Sequence, residues 1–168
     1  ILYKYNTNPR LQELNIINIS PGDEGIPEPI ALDQNDYKFN LFAAFDCLIQ
    51  EGNKIHILDI KTGKSDFDLR QGYVYLLAAQ QLYPDRDCIA SFYNVQTGKV
   101  SDILTATKTQ LLAVTIELAE IAKRHQEELK LYRYHRVPFS YVYPPNPGYA
   151  CHRCEFTSIC QYFCLASD

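Results

Sequence analysis

Between Phe45 and Tyr75 the chain reads FDCLIQEGNKIHILDIKTGKSDFDLRQGYVY, and five of its polar residues are of types that metal-assisted phosphodiester hydrolysis uses: Asp46, Asp59, Lys61, Gln71 and Tyr75. Asp46 and Asp59 each stand in or beside an apolar run. Burying a carboxylate there is costly unless a cation or hydrogen-bond donors compensate, and hard Mg²⁺ or Mn²⁺ takes such oxygen ligands. Lys61 follows Asp59 by two residues, so strand alternation points both side chains to one face, where an ammonium can orient an attacking water or offset phosphate charge. Ile60 between them points into the core and leaves its backbone carbonyl as a further metal ligand. The plainer reading of a bare Asp-x-Lys is a strand-end aspartate beside a surface ion pair. Here the surroundings shift the balance, because Gln71 and Tyr75 stand four apart on one face of a following helix and can converge on the same place.

The elements that must position these groups can be read outward from them. Val, Ile, Leu and Phe dominate residues 40–49 and 55–60, and Glu51-Gly52-Asn53 between them is a hairpin signal. Residues 37–49 are expected as the first catalytic strand and 54–60 as the second; such a hairpin brings Asp46 close to Asp59. Lys61-Thr62-Gly63-Lys64 is a turn, and residues 68–83 carry Leu69, Tyr73, Leu76, Leu77 and Ala79 at helical spacing, closed by Pro84. Upstream, residues 11–20 read as a strand, 21–29 as a loop, and Ala31-Leu32 as a short strand before a turn at 33–36; Glu13 and Glu28 are marginal candidates to assist a metal. Downstream, residues 87–95 and 99–105 flank Gln96-Thr97-Gly98 as a second hairpin, and residues 107–132 form the longest helical pattern, its basic end (Lys123, Arg124, Lys130, Arg133, Arg136) a candidate track for a phosphate backbone. The sum is an α/β fold, a central mixed sheet of about five strands with helices on both faces.

With 46% hydrophobic and 21% charged residues, the 168-residue chain has enough apolar surface for one core, expected as residues 1–143 with a cysteine-rich tail at 144–168 packed on it. The chain begins at Ile1 and has no methionine, so a cut or processed piece of a longer protein is expected. No segment has the length and apolarity of a membrane span, no signal-peptide pattern opens the chain, and a cytoplasmic location is the expectation. A net charge of −4 gives no global attraction to nucleic acid, so DNA binding would rest on a local groove.

The tail adds a second constellation. After Tyr143-Pro144-Pro145-Asn146-Pro147-Gly148, a stiff linker, Cys151, Cys154 and Cys160 follow with intervals of two and five residues, and Cys164 comes after. In a reducing compartment such spacing reads as a metal clip, with zinc or iron as the thiophilic ion and Cys164 or His152 as a fourth zinc ligand. Cys47 and Cys88 lie in strands and read as structural thiols.

Taken in order, Asp46, twelve intervening residues, Asp59-Ile60-Lys61-Thr62-Gly63 and Gln71-Gly72-Tyr73-Val74-Tyr75 resemble the core of the PD-(D/E)XK nuclease superfamily, in particular its RecB-like exonuclease branch with a Gln-x-x-x-Tyr motif. The resemblance implies a restriction-endonuclease-like core, with Asp46, Asp59 and the Ile60 carbonyl binding Mg²⁺ or Mn²⁺, Lys61 as the catalytic lysine, and Gln71 and Tyr75 supporting the site and contacting DNA. It implies a metal-dependent deoxyribonuclease, an exonuclease of repair, recombination or CRISPR-type processing, with DNA and a helicase or other subunit as partners. Several members of that branch carry a [4Fe-4S] cluster on three C-terminal cysteines spaced like Cys151, Cys154 and Cys160, plus one cysteine upstream of the core; here no cysteine precedes Cys47, so either the fourth ligand is missing with an N-terminal part or Cys164 replaces it. The chain departs from the branch at Ala43, where glycine is frequent, and lacks a recognisable upstream helix with an acidic or histidine residue. The competing reading is an inactive nuclease-like module that binds DNA or protein, stapled by a zinc clip. The complete set of five site residues favours the enzyme.

Overall fold

Gly52 and Asn53 are the two-residue turn about which the sheet is built, and Gly52 takes φ 61°, a backbone region that glycine enters without steric cost. On either side, β4 (Cys47–Glu51) pairs antiparallel with β5 (Lys54–Lys61), from Glu51 opposite Lys54 to Cys47 opposite Leu58. The computed structural model describes residues 15–19, 27–63 and 67–160. Within these, the main sheet has the order β1-β4-β5-β6, with β1 (Ile16–Ile19) antiparallel to β4 and β6 (Asp87–Asn94) parallel to β5 along its whole length. A parallel neighbour needs a crossover, and α1 (Leu69–Leu82) supplies it. The architecture is therefore a mixed, helix-flanked α/β sheet, as the residue pattern implied.

Both faces of the sheet are buried. Ile55, Ile57 and Ala90 face a first cluster with Leu48, Leu76 and Leu77, while Leu58, Tyr93 and Val95 face a second with Cys47 and Ile49. That two-sided burial explains why β5 and β6 read as nearly unbroken apolar runs rather than as alternations.

Three sequence expectations are corrected. Residues 37–49 are not one strand: β3 (Tyr37–Leu41) pairs with β2 (Ile30–Gln34) as a separate ribbon, and β4 begins only at Cys47. Phe45 belongs to the first cluster and Cys47 to the second. An extended strand would put residues two apart on the same face, so the chain has to bend at Asp46. The expected fifth strand is also incomplete, since residues 99–105 pair with β6 by isolated bridges at Val100 and Leu104 and not as a continuous ladder. Ser101 causes the interruption: its N–H donates to the Phe92 carbonyl, but its own hydroxyl, not a backbone carbonyl, accepts from Phe92 N–H at 2.9 Å. Finally, Leu69 is 57% exposed, because it lies in the first turn of α1, ahead of the buried stretch that starts at Gly72.

The ends of the helices are set by side chains. Asp68 caps α1 by accepting from Arg70 N at 2.9 Å and Gln71 N at 3.4 Å, and Tyr83 with Pro84 ends it. Gly72 brings α1 close to β6, for a Cβ there would lie 2.6 Å from Leu104 Cδ2 and 3.3 Å from the Phe92 ring. Thr107 and Gln110 form a reciprocal cap ahead of α2 (Lys108–Tyr134), whose Leu111, Val114 and Leu118 pack on the first cluster. Both helices thus cover one face among the described residues; the first expected strand is seen only from Ile16, and residues 11–14, 20–26 and 64–66, Glu13 included, lie outside them. Glu28 is exposed ahead of β2.

By contacts the chain divides into two units, Ile1–Glu120 and Ile121–Asp168. The second holds the end of α2, the short α3 (Phe139–Val142) and a 3₁₀ turn at Tyr149–Arg153. No described helix is long and apolar enough to cross a membrane.

Two outcomes are expected from this packing. Gly72→Val should lower stability by about 1–3 kcal/mol through overpacking against Leu104 and Phe92, read as a lower denaturant midpoint at unchanged slope; an unchanged midpoint would show that the helix has room to move. Burial, with Asp46 adding to it, pushes the Cys47 thiol up to about 11, and burial with Asp87 does the same for Cys88. At pH 8 both should resist a disulfide reagent until the protein unfolds, while exposed Cys154 and Cys160 react at once, as peptide mass mapping would show.

Candidate active site

Asp59 is the most buried acid described, only 3% exposed near the end of β5 and on the face that α1 covers. Burial raises its pKa first; the hydrogen bond and charge of Lys61 pull it back, Asp46 raises it again, and a hydrogen bond from Tyr75 lowers it. Desolvation wins that balance. The Lys61 ammonium forms an ion pair with Asp59 Oδ2 at 2.7 Å, and that buried oxygen has no further partner among the described residues.

Gln71 ties the helix to the strand. Its carbonyl oxygen accepts from Lys61 Nζ at 2.7 Å, and its amide donates to Asp59 Oδ1 at 3.2 Å and to the Tyr75 hydroxyl at 2.8 Å. Because Tyr75 and Asp59 take the amide nitrogen, the Gln71 oxygen is left facing the lysine. Tyr75 is held in turn against the buried Phe45 ring, with centroids 5.5 Å apart, and burial raises its own pKa, with Asp59 contributing. Beneath Lys61 the Phe92 ring lies with its centroid 5.7 Å from Nζ and stacks on Phe67 at 5.2 Å.

Asp46, exposed at the bend before β4, accepts from the Ile60 N–H at 2.7 Å through Oδ2. The Lys61 carbonyl is taken by Val95 N–H on the β6 side. Strand alternation therefore turns the Ile60 amide and carbonyl the other way, toward Asp46. Asp46 and the Ile60 carbonyl thus lie at the strand end that also carries Asp59, oxygen donors of the kind a hard divalent cation takes. Asp59 Oδ2, whose one partner among the described residues is Lys61, is the oxygen such a cation would share. Ile60 itself packs on the second cluster, opposite to Asp59 and Lys61.

Of the five polar residues singled out from the sequence, Asp59, Lys61, Gln71 and Tyr75 are joined by these contacts, and Asp46 is held at the same strand end by the Ile60 amide. Asn94 was not foreseen: buried, it donates to the Gly63 carbonyl at 2.7 Å and accepts from Gln96 N and Thr97 N at 3.0 Å, locking the loop after Lys61 to the turn after β6. The available signal was a single amide side chain at the end of an apolar run just before Gln96-Thr97-Gly98. Phe92, read only as a strand residue, was missed as the floor under Lys61.

The tail cysteines behave differently. Cys151 is half-buried and its sulfur accepts from Gly148 N–H at 3.4 Å, whereas Cys154 and Cys160 are exposed. Among the described residues no three of His, Cys, Asp or Glu form a metal-holding group, so Cys151, Cys154 and Cys160 are not gathered into one, and Cys164 lies outside the described residues. The described side chains therefore do not fit an iron–sulfur cluster or a zinc clip.

Comparison with curated proteins gives no match. A family model does match, over residues 11–161, a span that contains the hairpin, the Gln71 helix and most of the tail. With that match over most of its length, the chain belongs to the PD-(D/E)XK nuclease superfamily.

Proposed function

We propose that this protein is a metal-dependent deoxyribonuclease that hydrolyses phosphodiester bonds at the end of the β4–β5 hairpin, and that it is an exonuclease of the RecB-like branch. The observation that carries the reading is the buried Asp59 carboxylate, ion-paired to a lysine that Gln71 fixes, with Asp46 held at the same strand end. Asp46, Asp59 and the Ile60 carbonyl would hold Mg²⁺ or Mn²⁺, which when bound supplies Lewis-acid polarisation of the phosphate and a more acidic water.

The chain's own residues have separate tasks. Lys61 directs two of its three N–H groups toward Asp59 and Gln71, and the third is left to meet a non-bridging phosphate oxygen or the attacking water. Gln71 sets the direction of that ammonium, and Tyr75 sets the direction of Gln71. The Ile60 amide holds Asp46 in place, so the carboxylate needs little reorganisation when charge develops on the phosphate. The Gln-x-x-x-Tyr spacing on α1 supports the RecB-like assignment, and repair, recombination or CRISPR-type processing of DNA is the setting in which that activity serves.

Lys61→Ala should fold like the parent and lower Mn²⁺-dependent cleavage of labelled DNA by about 10²–10³-fold, the loss typical of one transition-state charge contact. Gln71→Ala, which frees the ammonium without removing it, should lose less. Cleavage by the Lys61 variant at the parent rate would overturn the mechanism and leave a nuclease-like binding module as the better reading.

A further inference from the structure

The second unit carries a cationic, aromatic surface that the proposed chemistry does not use. Residues 121–160 hold six Lys and Arg against three Glu, a net +3 in a chain whose total is −4. Along the end of α2, His125 and Tyr132 lie seven residues apart and so on one stripe of the helix, with Arg124 and Arg133 about a quarter-turn to either side. α3 adds Phe139, and the residue after it, Tyr143, closes a run of rings: His125 to Tyr143 at 6.4 Å, Tyr143 to Phe139 at 5.0 Å, Phe139 to Tyr132 at 5.7 Å between centroids.

These rings are not a buried core. Phe139 is 60% exposed and Tyr132 44% exposed, although each is held by its neighbours, and the arginines beside them are exposed as well. A ring that is fixed by other rings yet open on a face loses little freedom when a flat partner settles on it. Bases of a single strand offer such flat faces at sequence-independent cost, and their phosphates match the flanking cations, whereas a duplex keeps its base faces stacked inward.

We infer that the Tyr132–Phe139–Tyr143 ring run with Arg124 and Arg133 is a stacking surface for single-stranded nucleic acid, which makes single strands the preferred substrate class. The inference rests on the nuclease reading for the identity of the ligand as nucleic acid. A protein partner or a second copy of the chain would be drawn by the exposed rings but has no need of the excess positive charge around them.

The test uses the full chain and fluorescence anisotropy with labelled oligothymidylate and with a hairpin duplex of equal length, in chelator so that nothing is cut. Phe139→Leu keeps an apolar side chain in the ring run but removes its π face; it should weaken oligothymidylate binding about five- to a hundredfold with the melting curve and duplex affinity unchanged, while Phe139→Tyr binds like the parent. Tyr132→Leu should repeat the loss. Equal weakening for single strand and duplex, no weakening at all, or a self-association that Phe139→Leu abolishes would each overturn the inference. Cleavage is scored separately with Mn²⁺: a parent that binds single strands through Phe139 but cuts nothing sinks the nuclease reading and leaves the surface standing, and one that cuts without any Phe139 dependence does the reverse.

Discussion

A carboxylate held in the apolar interior of a sheet is the constraint on which the rest of the molecule depends. Asp59 sits where Ile55 and Ile57 prepare an apolar face, and water is excluded from it by α1. Ionising an acid there is expensive unless cations and donors surround it. β5 and α1 supply them, Lys61 from the strand and Gln71 and Tyr75 from the helix, while the bend ahead of β4 brings a second carboxylate, Asp46, to the same strand end and raises the cost. The lowered cost is incomplete, because desolvation still outweighs Lys61 and Asp46 adds to it.

The packing details follow from that requirement. Gly72 lets α1 approach β6 closely, which puts Gln71, its neighbour in sequence, within reach of Asp59 on β5. The reversal of faces between Phe45 and Cys47 places Asp46 at a bend, where its carboxylate can turn to the Ile60 amide instead of following the strand. Asn94 fixes the loop that leaves Lys61, so the lysine is held from behind as well as from the helix. Each of these contacts would be unnecessary for an ordinary sheet.

Much of this was legible in the residues. The hairpin turn at Gly52, the same-face placement of Asp59 and Lys61, and the four-residue spacing of Gln71 and Tyr75 all rest on short-range periodicities, and the structure has each of them. What could not be read depended on tertiary pairing. The run from Tyr37 to Ile49 is apolar enough to look continuous, and only the two clusters on opposite faces require the break at Asp46. The ragged edge at Ser101 came from a hydroxyl competing with the backbone, and Leu69 had the helical spacing of a core residue without a sheet beneath it. The cysteine spacing suggested a cluster, but spacing cannot say whether three sulfurs converge, and those described do not.

The account's central claim is that Asp59 is kept buried and under-satisfied for a divalent cation rather than for stability. Thermal unfolding of the parent and of Asp59→Asn, each with chelator and with Mn²⁺, addresses it directly. A ligand that binds only the folded state at about a hundred times its Kd adds roughly 2.7 kcal/mol, a rise of several degrees for a chain of this size. The parent should show that rise, and Asp59→Asn should not, while unfolding in chelator at or above the parent's temperature because a neutral side chain escapes the desolvation cost. A variant that is markedly less stable in chelator yet retains the Mn²⁺ shift would contradict the account, for Asp59 would then be a structural ion-pair partner and the cation would lie elsewhere.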